Sequence, residues 1–161
     1  MTEMDMQAER MPYLDSVEDR QDMITWWAGV GEAGFDRLLE LAQDPREKVA
    51  DQAYAALAAS RDQRLVPFLR AIPWDADAPA PLQYSRARTH LRLGDWSHVD
   101  VLIDGLRDDN VFVRGNCLRT LKSATNYDFG YHPNSPEEER EAAVQRWEQW
   151  YRESAPEAAQ K

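Results

Sequence analysis

The sequence has little glycine, one cysteine and no long apolar run. Seven glycines in 161 residues argue against a loop-rich or all-β fold, where tight turns recruit glycine. The lone Cys117 excludes an internal disulfide and fits a reducing compartment. No stretch approaches the ~18 apolar residues that a membrane span requires. The opening MTEMDMQAER is acidic and lacks an apolar segment, so no signal peptide is expected and the predicted location is cytoplasmic. Catalytic signatures are absent as well. His90, His98 and His132 have neither HExxH spacing nor a neighbouring cysteine pair. No GxSxG and no GxxxxGK[ST] occurs, and no glycine-rich nucleotide loop is expected. Carboxylates are plentiful, but no pair sits in an apolar setting that would raise a pKa. The expectation is a chain with no catalytic residue, no cofactor and no metal site.

What is present is globular. Hydrophobic residues make up 43% and charged residues 30%, and 161 residues suffice for a single domain with a real core. Six tryptophans and six tyrosines supply large apolar bodies for it. Twenty-nine acids against 19 bases give a net charge of −10. That charge counts against nucleic-acid binding, which rewards cations, and favours solubility or a basic partner.

The chain repeats. RLLELAQDPREKVADQAYAAL (37–57) and VLIDGLRDDNVFVRGNCLRTL (101–121) align at an offset of 64. Leu38 then meets Leu102, Ala42 meets Leu106, Asp44 meets Asp108, Val49 meets Val113, Ala53 meets Cys117 and Leu57 meets Leu121. A third copy lies between them, with Phe68, Leu69 and Ile72 at first-helix positions and Gln83, Ala87 and Leu91 at second-helix positions. Its join, PWDADAPAP (73–81), holds three prolines and must be a loop. Trp74 on that loop is either tucked onto the core or presented to a partner. The i, i+4, i+8 spacing is helical, and Cys117 falls on its apolar face as a small core residue, a reactive thiol being the alternative.

The flanks also read as helical. Ser16-Val17-Glu18-Asp19 resembles a capping box opening an N-terminal helix within 14–33, ended by Gly31 and Gly34. At the far end Ser135 is the expected N-cap, with Pro136 at the first helical position. Val144, Trp147, Trp150 and Tyr151 then share one stripe of a capping helix within the closing segment 126–154. Residues 1–12 and 155–161 are expected to be flexible.

An aliphatic helix, an Asp-containing turn, then Val followed by Ala or Cys and Leu at four-residue steps resembles HEAT repeats. The likeness is closest to the HEAT-like repeats of bacterial proteins and covers about residues 34–125 as three helix pairs. Phe129-Gly130-Tyr131 through Trp150 is similar to the closing segment of some of those proteins. One feature departs: of the arginines that such repeats place after the second-helix Val, only Arg114 is present, with Ala50 and Tyr84 at the matching positions. The resemblance implies an all-α, right-handed α-solenoid that serves as a scaffold or partner-binding surface, its second helices lining the concave face.

Charge is uneven across those second helices. Residues 82–93 carry Arg86, Arg88 and Arg92 and no acid; residues 110–124 carry Arg114, Arg119 and Lys122 and no acid. At about 100° per residue, the side away from the first helix carries Phe112, Asn116 and Arg119. The repeat maps these onto Leu82, Arg86 and Thr89, and onto Lys48, Gln52 and Ala55. The predicted partner-binding groove is thus Lys48, Gln52, Leu82, Arg86, Thr89, Phe112, Asn116 and Arg119, suited to an acidic or amphipathic peptide segment. The leading expectation is a non-catalytic protein–protein interaction module or a subunit of a larger assembly. The alternative is an acidic inhibitor, of the kind that nuclease immunity proteins represent, neutralising a basic partner through its outer surface.

Overall fold

The computed structural model describes residues 1–158. It is all-helical, with no strand among the described residues. The expected single domain divides into two compact units, Met1–Thr89 and His90–Lys161, with the boundary inside one helix.

The first unit contains α1 (Glu3–Arg10), α2 (Val17–Val30), α3 (Phe35–Leu41), α4 (Glu47–Ala59), α5 (Val66–Ala71) and most of α6 (Ala80–Arg92). Its centre is α4. Val49, Ala50, Gln52, Ala53, Tyr54, Ala56, Leu57 and Ala58 are all buried, because its alanines let neighbours approach on several sides. Helices α2 and α3 both pack on it, as does the 3₁₀ turn Met11–Tyr13. The corner between α2 and α3 is tight. A Cβ on Gly34 would lie 3.1 Å from Val30 Cγ1 and 3.2 Å from Trp27 Cε3.

Capping sets the ends of α2 as expected. The Ser16 hydroxyl accepts from the Asp19 backbone N–H at 2.9 Å, and Gly31 stops the helix at φ +66°. The N-terminus departs from expectation. Residues 3–10 are helical, started by a reciprocal capping box in which Thr2 N donates to Asp5 Oδ2 at 3.0 Å and Asp5 N to Thr2 Oγ1 at 3.1 Å. Ala8 and Met11 are buried, so apolar contact holds this segment down. The T-x-x-D string at 2–5 carried that signal.

The second unit contains the end of α6 with α7 (Val99–Gly105), α8 (Val111–Thr125) and α9 (Glu137–Ala158). Helix α7 packs on α8 and on α9. Leu102, Ile103, Leu106, Cys117, Leu121, Val144 and Trp147 are its buried core. Trp147 packs edge-on to Phe129 at 4.7 Å and to Trp150 at 5.6 Å. Trp150 and Tyr151 are half-buried. The loop before α9 is held from two sides. Arg114 Nη2 donates to Pro133 O at 2.7 Å, and its Nη1 lies 2.9 Å from the carbonyls of Asp108 and Asp109. Tyr131 is buried, its hydroxyl donating to Leu106 O. Arg107 forks onto Glu141 at 2.8 and 2.9 Å and reaches Glu148 at 2.7 Å, tying α7 to α9.

The offset of 64 survives into the structure. Helices α3 and α7 start at 35 and 99, and α4 and α8 at 47 and 111. Asp44 and Asp108 each accept the backbone N–H two residues on, at 2.9 and 2.8 Å. The middle copy is weaker. Helix α5 has only six residues; of the first-helix positions Leu69 is buried, whereas Phe68 is 59% exposed. Pro67 and the proline loop leave α5 too short to bury two faces. Helix α9 begins at Glu137 and runs to Ala158; residues 159–161 of the expected flexible end lie outside the described residues.

Replacing the fully buried Trp147 by Ala is expected to cost about 3–5 kcal/mol, measured by urea unfolding. A second outcome concerns pH. Arg46 beside Asp44 holds that carboxyl below its ordinary value of 3.8. Its contribution is therefore full above 3.8 and is lost as pH falls through the folded value. Asp44→Asn should lower Tm at neutral pH, and the difference from wild type should close on acidification.

Candidate functional site

The eight residues predicted to line a basic groove do not share one fate. Gln52 is 2% exposed and its amide donates to Met11 O at 2.8 Å. Thr89 is 2% exposed, its hydroxyl lying 3.0 Å from Tyr54 O and 3.1 Å from Ser85 O. Arg86 is 7% exposed. Lys48 is drawn into an ion pair with Asp15 at 2.6 Å. Phe112, Asn116 and Arg119 are exposed on α8 of the second unit. Gln52, Thr89 and Arg86 therefore depart from the expected surface. The reason is common to the three: the side of α4 and α6 taken for solvent faces backbone carbonyls, and a polar side chain can be buried there by donating to them; Gln52 Oε1 and Arg86 Nε are left without a partner among the described residues.

Arg86 and Leu82 instead belong to a cleft of about 530 Å³ in the first unit, between the α3–α4 turn and the α5–α6 loop. The volume falls in the range of small-molecule and side-chain pockets. The loop wall is built by α6. Arg86 Nη1 donates to Pro73 O at 2.7 Å, and Nη2 donates to Ile72 O and points toward Leu69 O at 3.5 Å. Leu69 O already accepts from Ile72 N at 3.2 Å; the carbonyls of Ile72 and Pro73 lie just past α5, where the helix offers no donor. The same guanidinium lies 4.7 Å from the Trp74 ring centre, a cation–π contact. Gln83 Nε2 donates to Ala78 O at 2.8 Å and Ala76 O at 3.0 Å. Asp75 Oδ1 accepts from Asp77 N at 2.9 Å. A proline loop that could wander is thus anchored at both ends. Trp74 is half-buried, neither wholly tucked onto the core nor wholly exposed.

The lining is apolar with an acidic rim. Trp74, Tyr54, Ile72, Leu82 and the prolines 45, 73 and 79 form walls. Asp44, Glu47, Asp75 and Asp77 are the lining acids, and Arg86 is the lining base. Asp44 is already paired with Arg46 at 2.7 Å; Glu47, Asp75 and Asp77 are exposed. Burial pushes the Tyr54 phenol above its ordinary value, so it stays neutral. Burial lowers Arg86 from its ordinary value, but a guanidinium keeps its charge in proteins.

No protein-family model, curated protein or solved structure matches this chain.

Two other constellations have the composition of chemical sites. His90 Nδ1 lies 2.8 Å from Asp95 Oδ2, both side chains fully buried. Ser97 Oγ donates to Asp95 Oδ1 at 2.6 Å. The parts of a Ser-His-Asp triad are present, but the hydroxyl bonds the carboxylate and not the imidazole, so no base activates it. The cluster instead ties the end of α6 to the start of α7. Gly29, Gly31 and Gly34 keep G-x-G-x-x-G spacing, against the expectation of no such string. It begins inside the last turn of helix α2 and follows no strand, so the dinucleotide-loop context is missing. Among the described residues no group of three His, Cys, Asp or Glu is placed to hold a metal, and no helix is long and apolar enough to cross a membrane.

Arg86→Met removes the donors and keeps the bulk. It is expected to destabilise the chain by about 2–3 kcal/mol, since charge-assisted bonds from a buried guanidinium are lost. It should also open the loop 73–81 to limited proteolysis. Urea unfolding and mapping of the first cut check both.

Proposed function

We propose that the chain is a HEAT-like helix-repeat module that binds a partner protein and catalyses nothing itself. The right-handed solenoid that the resemblance implies is part of this proposal, as are a cytoplasmic setting and a bacterial source. The docking surface is the cleft beside the loop 73–79, in place of the groove expected from charge. One observation carries this: a proline loop bearing a tryptophan is held open beside a cleft of about 530 Å³ by a buried arginine and a glutamine of α6. Holding a binding wall in place before the ligand arrives removes part of the ordering cost of association. An acidic peptide is disfavoured, because the Arg86 Nη groups donate to carbonyls and Lys48 pairs with Asp15.

A second reading is favoured by the net charge of −10: an acidic protein that neutralises a basic partner through its outer surface. The two differ in where a partner is lost. Capture from the native lysate, compared for wild type, Trp74→Ala and Phe112→Ala, separates them. Docking in the cleft predicts a partner kept by Phe112→Ala and lost with Trp74→Ala at unchanged Tm. A partner kept by Trp74→Ala removes the cleft and leaves the outer acidic surface.

A further inference from the structure

The cleft's occupant can be narrowed by its chemistry, resting on the docking reading above. We infer that it takes a basic segment of a partner protein, with a lysine or arginine stem laid along the Trp74 wall and its charge among the rim carboxylates. The lining holds four carboxylates, Asp44, Glu47, Asp75 and Asp77, against one guanidinium. That guanidinium belongs to the buried Arg86, whose Nη groups already serve Pro73 and Ile72 and whose Nε is out of reach of solvent, so it is not offered to a ligand. Of the carboxylates, Asp44 is neutralised by Arg46 at 2.7 Å, and Glu47, Asp75 and Asp77 stand exposed.

Among the lining residues an incoming anion would meet three exposed carboxylates and no available positive charge. An incoming lysine or arginine meets the reverse. Its methylenes can cover Trp74, Ile72 and Leu82 while its charged end stays at the wet rim, the usual division of such side chains between an apolar wall and water. The arrangement supplies apolar contact for the stem and complementary charge for the tip. A neighbouring apolar residue of the same segment would fill the prolines' side of the cleft.

The test uses the full chain and short fluorescein-labelled peptides built on one Leu-Pro frame. They carry Lys and Arg, Asp and Glu, or Ser and Gln at the same positions. Fluorescence anisotropy is expected to show the basic peptide binding at least about tenfold tighter than the acidic one. Its binding should weaken as salt is raised, because the rim is solvent-exposed. The variant Glu47→Gln/Asp75→Asn/Asp77→Asn keeps the Asp75 acceptor oxygen and should fold with unchanged Tm, yet lose about tenfold in affinity for the basic peptide. Equal or tighter binding of the acidic peptide overturns the inference, as does no binding of any peptide or an unaffected triple variant. If the charge preference fails while Trp74→Ala still loses its lysate partner, docking stands and the basic occupant is wrong. If Trp74→Ala leaves both the basic peptide and the lysate partner bound, docking in this cleft fails with it.

Discussion

Short helices end in carbonyls that nothing in the helix satisfies, and this chain answers that constraint with side-chain donors from later helices. Arg86 on α6 covers Ile72 and Pro73 at the end of α5. Arg114 on α8 covers Asp108 and Asp109 after α7 and reaches across to Pro133. Gln52 on α4 covers Met11. A helix of six residues such as α5 has too few internal bonds to persist alone. Its position depends on the residue that takes its loose carbonyls.

That constraint decides which charges are left for a partner. A guanidinium buried against carbonyls is committed, however basic its helix looks in sequence. Arg107 is committed in a different way, between Glu141 and Glu148. The Coulomb pairing at the chain's surface is worth little individually; the two carbonyl-bound arginines matter more because their Nη groups are removed from water and bonded there. What remains open around the first unit's cleft is mostly acid.

The aromatic residues divide along similar lines. Trp27 and Trp147 are core, placed by the helical stripes that carry them. Trp74 depends on Arg86 beneath its ring and on a loop pinned by Gln83. Phe129 adopts φ +50°, an unfavourable conformation for a bulky residue, and in it packs edge-on to Trp147 and stacks with Tyr127.

Much of the helical layout was legible from spacing alone. The offset of 64, the caps at Ser16 and Gly31 and the core positions Leu38, Leu57, Leu102, Cys117 and Leu121 follow from local chemistry and the helical period, and the structure keeps them. The helix at 3–10 was legible in Thr2 and Asp5 but hidden by its polar composition. The site was not legible. Helical spacing says which side a residue leaves its helix by, not what stands opposite. For Gln52, Arg86 and Thr89 the opposite wall is backbone carbonyl, contributed by segments 35 to 41 positions away for Gln52 and Thr89 and 13 to 17 for Arg86. Sequence by itself determined the all-α class, the repeat and the excess of acid. Only the tertiary structure decided which cations are consumed inside, because a buried guanidinium and a solvated one have the same letter and differ only in the carbonyls brought to meet them.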